Sequence, residues 1–136
     1  MLVQQKRNAS SNQKYTLIKE TLYYLLKRQI SEVADFYLED ISRGMNQRAV
    51  GYCYGFIEAA LRQSGIDPES GEGKHIFRSI LDAFGDGRGE ELISQMMQSR
   101  TGSPNSIRGI QAGFAEYDAW IKLGGTKFPS GLKACF

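Results

Sequence analysis

The sequence predicts an all-α fold, a compact bundle of about five helices in one domain. Apolar residues recur every three or four positions along most of the chain, no segment alternates as a half-buried strand would, and Gly, Pro and Ser stand where helices should end. The 136 residues suffice for one domain with its own core. The composition, 41% apolar and 24% charged, is typical of a folded globular protein.

The first predicted helix is the longest. Residues 1–12 are polar without periodicity, so we expect a flexible arm there and a helical domain over 13–125. From Tyr15 the apolar positions step by three or four as far as Ile41. Gly44 then stands where a left-handed residue would end the helix.

The next three helices are shorter. The second spans about 47–64, and its end is marked by Gly65 followed by the apolar Ile66, which is expected to fold back over the last turn. A loop is predicted over 69–73 and a third helix over 74–84. A fourth helix is predicted from Glu90. The glycine-rich segment before it, Gly85–Gly89, is predicted to be a turn between two helices rather than a phosphate-binding loop.

The fifth helix has the clearest start signal in the chain. Ser103 suits the N-cap and Pro104 the first helical position, while Gly124 and Gly125 mark the end. The last residues, 126–136, are predicted to form an extended tail that packs on the bundle.

The second and fifth helices share the pattern G-x-x-x-G-F-x-E, offset by 58 positions. The pattern is typical of a duplicated helical hairpin, with coincidence in a glycine-rich chain as the alternative. A glycine inside a helix costs about 1 kcal/mol relative to alanine, so close helix contact is the expected compensation. We predict that the two small-residue strips face each other or each receive a large side chain from a partner. The strips are Gly51, Gly55 and Ala59 on the second helix, and Gly109 and Gly113 on the fifth.

Residue types that support catalysis are sparse, and we predict no catalytic residue, cofactor or metal site. The single histidine, His75, is expected to be solvated. Cys53 is expected in the core, and Cys135 is either a loose thiol or paired with Cys53. Glu58 and Glu116 are equivalent in the repeat, so a twofold axis that brought them together would create a small-ligand or cation site. Ordinary ion pairs within each helix are the alternative.

Aromatic residues exceed what a core of five helices must hide, and arginines stand near the same helix ends. Tyrosine, tryptophan and arginine are enriched at protein interfaces. We therefore name seven residues as a possible interface: Arg43, Arg48, Tyr52, Tyr54, Arg108, Tyr117 and Trp120.

The stretch Arg48–Leu61, with Gly51-Tyr52, Gly55 and Glu58-Ala59, resembles part of the Tai family of small helical immunity proteins. The resemblance covers about a tenth of the chain and implies an inhibitor or immunity role. Family members are exported and disulfide-bonded, whereas this chain shows no leader and places Cys53 differently.

Three functions remain open at this level. The first is a non-enzymatic interaction protein, either a helical homodimer or an inhibitor of another protein. The second, unfavoured at a net charge of +2, is nucleic-acid binding through a basic arm with Lys6, Arg7, Lys14 and Lys19, together with Arg43 and Arg48. The third is the ligand site at the two glutamates. No export signal or membrane-length apolar run is visible, so a cytoplasmic protein is expected.

Overall fold

The computed structural model describes residues 2–31, 47–84, 90–91, 94, 104–125, 127 and 129–135, and within them it is all-helical, without strands. The predicted fold class is confirmed, with four α-helices in these residues where about five were expected in the chain. They are α1 (Leu2–Ser31), α2 (Gln47–Gln63), α3 (Gly71–Phe84) and α4 (Pro104–Lys122), followed by a 3-10 helix (Gly131–Cys135). Of the predicted fourth helix, only 90, 91 and 94 are described, and all three are helical. The turn predicted at 85–89 lies outside the described residues.

Helix α1 begins at Leu2, well before the predicted start near Gln13. Residues 2–12 contain neither glycine nor proline, so nothing in their backbone opposes a helix. The periodicity argument missed this part because a helix without a regular apolar stripe gives no signal in the sequence. The predicted continuation to Ile41 and the terminator Gly44 lie outside the described residues.

Helix α2 is the centre of the bundle. Every residue from 49 to 61 is buried, and α1, α3, α4 and the 3-10 helix all pack against it. Its most extensive partner is α4. A helix buried on all sides needs apolar or small residues around most of its circumference, and the run from Ala49 to Leu61 supplies them except at Glu58.

The ends of α2 and α4 follow the sequence signals. After α2, Gly65 adopts φ +74° and the Ile66 N–H donates to the Leu61 carbonyl at 2.8 Å, while Ile66 itself is buried. After α4, Gly124 adopts φ +65° and the Gly125 N–H donates to the Trp120 carbonyl at 2.9 Å. Both are Schellman ends, in which a left-handed glycine lets the chain turn back over the last carbonyls.

Helix α3 begins at Gly71, so the predicted loop over 69–73 is wrong for its last three residues. Ser70 is the N-cap: its Oγ accepts the Gly73 N–H at 3.1 Å and its carbonyl accepts the Lys74 N–H at 2.9 Å. This cap outweighs the low helix propensity of Gly71 and Gly73 in the first turn.

The C-terminal segment is not simply extended, because Gly131–Cys135 form a 3-10 helix. This helix packs against α1, α2 and α4, and Leu132 is fully buried. The tail therefore closes one side of the bundle at the point where three helices meet.

Candidate functional site

The glycine strips of α2 and α4 face one another. A Cβ built on Gly55 would overlap the backbone of Ile110, and one built on Gly113 would overlap the backbone of Tyr52. In both cases the obstructing atoms belong to the main chain, which cannot turn aside as a side chain can. The two helices lie so close at these positions that only glycine fits.

These contacts are reciprocal between the two helices. A Cβ on Gly51 would lie 2.5 Å from the Ser106 carbonyl oxygen, and one on Gly109 would overlap the Arg48 carbonyl oxygen. Arg48 and Ser106 are 58 positions apart, as are the glycines, so exchanging the helices maps one contact onto the other. Gly51 lies against Ser106, and Gly55, four residues later, lies against Ile110, also four residues later. The two helices therefore run in the same direction. The duplication of a whole hairpin stays a prediction.

A polar cluster ties α1, α2, α4 and the 3-10 helix together inside the protein. The Tyr52 hydroxyl lies 2.9 Å from Glu116 Oε1 and 3.0 Å from Gln29 Oε1, and it shares its proton between them. Glu116 Oε1 also accepts the Gly131 N–H, and Gln29 Oε1 accepts the Leu132 N–H at 3.1 Å. The cluster thereby fixes the start of the 3-10 helix, since it satisfies two backbone donors that would otherwise be buried without a partner.

The hydrogen bonds of this cluster hold the fold together and supply no acid or base. Burial, and after it the neighbouring Glu116 carboxylate, raise the pKa of the Tyr52 hydroxyl far above its usual range. Tyr52 therefore stays protonated and acts as a hydrogen-bond donor, not as an acid or base near neutral pH.

Glu58 and Glu116 occupy different surroundings. Glu58 is buried and pairs with Arg62 at 3.6 Å along its own helix, whereas Glu116 binds Tyr52 and the 3-10 helix. In the described part of the chain, no group of three His, Cys, Asp or Glu side chains is placed to hold a metal ion. The two carboxylates thus have separate partners, and the joint ligand site stays a prediction without support from these contacts.

The residues predicted as a possible interface divide into buried and exposed groups. Tyr52, Tyr54 and Tyr117 are buried in the core: Tyr54 stacks on Phe77 with ring centres 4.7 Å apart, and Tyr117 meets Phe56 edge-on at 5.1 Å. Ring-on-ring packing buries these three tyrosines, and the sequence does not show which rings meet. Trp120 is half-buried, Arg48 and Arg108 are exposed, and Arg43 lies outside the described residues.

An exposed face of α1 was not singled out by the sequence. Leu17 is 64% exposed and Tyr24 is 58% exposed, and seven residues, or two helical turns, separate them. The opposite side of the helix is buried through its leucines, among them Leu22 and Leu26. A signal did exist, because Leu17 and Tyr24 repeat at heptad spacing off the buried stripe. We call this surface the α1 outer face; its residues are Lys14, Leu17, Glu20, Tyr24, Lys27 and Arg28, all exposed.

Both cysteines are free thiols. Burial, followed by the nearby Cys135, raises the pKa of Cys53 to about 12, and burial also raises the pKa of Cys135. His75 is exposed, as expected. Cys53 is a buried core residue whose raised pKa keeps it in the thiol form near neutral pH.

Comparison with known proteins adds no relative: no family model, curated protein or solved structure matches this chain. Among the described residues, no helix is both long enough and apolar enough to span a bilayer.

Proposed function

We propose that this chain is a non-enzymatic protein-interaction module whose α1 outer face binds an acidic surface of another protein. The observation that carries the proposal is the pair Leu17 and Tyr24, two large side chains exposed on one face of a helix whose other face is in the core. Single exposed apolar residues are normal, but an aligned pair bordered by charge is typical of binding surfaces.

The charges on this face favour an acidic partner over a second copy. Around Leu17 and Tyr24 stand three cations, Lys14, Lys27 and Arg28, with one carboxylate, Glu20. In an antiparallel pair of α1 helices from two copies, Leu17 of each copy would lie opposite Tyr24 of the other. The same pairing would place Lys14 of each copy opposite Lys27 of the other. A parallel pair would place each cation opposite itself. Like charges in contact disfavour association. The charges on this face therefore favour binding to another protein, as an inhibitor would, over a homodimer.

Tyr24 contacts a neighbour on the same helix, and so does Tyr23, which lies beside the α1 outer face. Arg28 donates to the Tyr24 hydroxyl at 3.3 Å, and the Lys27 ammonium lies 5.4 Å from the centre of the Tyr23 ring. These contacts between residues four apart limit rotamer freedom, which lowers the entropy lost on binding.

The proposal is tested by site-specific photo-crosslinking in the cells that naturally produce the protein. A photoreactive amino acid replaces Tyr24 in one variant and Ala112, exposed on α4, in the matched control. We expect an adduct with an acidic protein from position 24 that is absent from position 112 and survives nuclease treatment. Equal adducts from both positions, or an adduct only with nucleic acid or a second copy of this chain, would contradict the proposal.

Binding to the captured protein is then measured with purified components. Leu17→Glu should weaken binding at least tenfold, because a charge would enter the apolar centre of the interface. Lys14→Glu should slow association and reduce its salt dependence, while Ala112→Glu should change neither quantity. Unchanged affinity of Leu17→Glu would exclude this face as the binding surface.

A further inference from the structure

A cavity among the described residues lies next to α3. Its volume is about 580 Å³, within the range of small-molecule sites. Gly71, in the first turn of α3, borders it, and a Cβ built on Gly71 would meet no atom within 4 Å. Gly71 therefore leaves open space at the border of the cavity.

One wall of the cavity is aromatic and rigid. Tyr54 and Phe77 line it, and their rings stack at 4.7 Å with an angle of 20° between planes. Tyr54 is 6% exposed and Phe77 is 3% exposed, so both rings are anchored in the core and cannot swing away. Only a small part of each ring borders the cavity, and because both rings are fixed, an apolar ligand body can contact them without ordering any side chain.

The rim carries charge from one stripe of α3. Lys74, His75 and Arg78 follow Gly71 at helical spacing, and all line the cavity. Arg78 is engaged by Glu90 at 3.3 Å, whereas the Lys74 ammonium has no hydrogen bond or ion pair with any described residue. Of the lysine and arginine side chains that line the cavity in the described part of the chain, Lys74 is therefore the one left for a ligand.

A second charge on the rim limits what can bind. Glu69 also lines the cavity, and its carboxylate has no ion pair with the described residues. It would repel a second negative charge placed beside the one that Lys74 attracts. The geometry points to a binding site for a small organic monoanion with a planar apolar body, held between the Tyr54–Phe77 wall and Lys74.

The test uses 1-anilinonaphthalene-8-sulfonate, a planar aromatic monoanion whose fluorescence rises on binding, titrated into the full chain. We expect saturation at one site per chain. Gly71→Phe should weaken binding at least tenfold by filling the cavity, and Lys74→Glu about fivefold, the equivalent of about 1 kcal/mol of charge interaction. Ala112→Phe on α4 is the matched control and should bind as the wild type does.

A competition experiment and a folding control complete the test. Inorganic pyrophosphate, which carries several charges and no apolar body, should fail to displace the probe. Each variant is first shown to unfold cooperatively in urea, and Lys74→Glu, a surface change, serves if Gly71→Phe does not fold. The inference would be overturned if both single variants, Lys74→Glu and Gly71→Phe, bound the probe as tightly as the wild type. Binding of the probe at many sites, or its displacement by pyrophosphate, would also overturn it.

Discussion

Replacing Gly55 with alanine should push the two central helices apart. The new Cβ would overlap the carbonyl oxygen, the carbonyl carbon and the Cα of Ile110, all of them main-chain atoms. Overpacking of this kind costs about 1–3 kcal/mol and more where backbone must move, while alanine gains about 1 kcal/mol of helix propensity. Because the whole α2–α4 contact must open, we take the overpacking cost as about 3 kcal/mol. After the gain in helix propensity, the free energy of unfolding should fall by about 2 kcal/mol.

Urea and thermal unfolding followed by far-ultraviolet circular dichroism measure this loss. For a chain of 136 residues, 1 kcal/mol corresponds to roughly 3.5 °C, so Tm should fall by about 7 °C. Gly71→Ala is the matched control, because its Cβ would meet nothing within 4 Å. It should leave Tm unchanged or raise it by up to about 3 °C, through the lower entropy of the unfolded chain.

The reciprocal geometry adds a second requirement. Gly113→Ala should cost as much as Gly55→Ala, because its Cβ would overlap the Tyr52 backbone in the equivalent way. The double variant should lose less than the sum of the two, since the first substitution already separates the helices. A Gly55→Ala protein as stable as Gly71→Ala, or strictly additive losses, would refute this account of the packing.

Three further outcomes follow from the contacts. Tyr52→Phe should lower the free energy of unfolding by about 1–2 kcal/mol, because it removes the donor to Glu116. Since the folded pKa of Tyr52 is raised above 10.0, wild-type stability should decline as the pH rises past 10, and Tyr52→Phe should decline less when both are unfolded in urea at pH 8 to 11. Folded protein at pH 8 should react with iodoacetamide at Cys135 before Cys53, read by mass spectrometry, and equal rates would argue against the burial of Cys53. Ser70→Ala should cost about 1 kcal/mol by removing the cap of α3, and an unchanged urea midpoint would exclude that role.

Much of the helical framework could be predicted because its signals are local. Gly65 with Ile66, and Gly124 with Gly125, end their helices through left-handed glycines, a conformation that side chains resist. The boundary of α3 was misplaced because Ser70 caps a first turn that contains glycines, and the start of α1 because a helix without an apolar stripe gives no periodic signal.

The candidate site was less predictable. The sequence cannot say which aromatic rings stack on one another, so Tyr54 and Tyr117 were assigned to a surface although ring packing buries them. Leu17 and Tyr24 repeat at heptad spacing off the apolar stripe, but only the structure shows that their side of α1 faces solvent.

The sequence by itself determined that this chain is helical, where several of its helices end, and that two helices carry smooth glycine strips. These properties depend on backbone conformation and on neighbours a few residues away. The tertiary structure decided that the strips pack on each other, that Tyr52 joins Gln29 to Glu116, and that one face of α1 is left to solvent. Those outcomes depend on groups far apart in the chain, whose meeting is set by the burial of all the helices together.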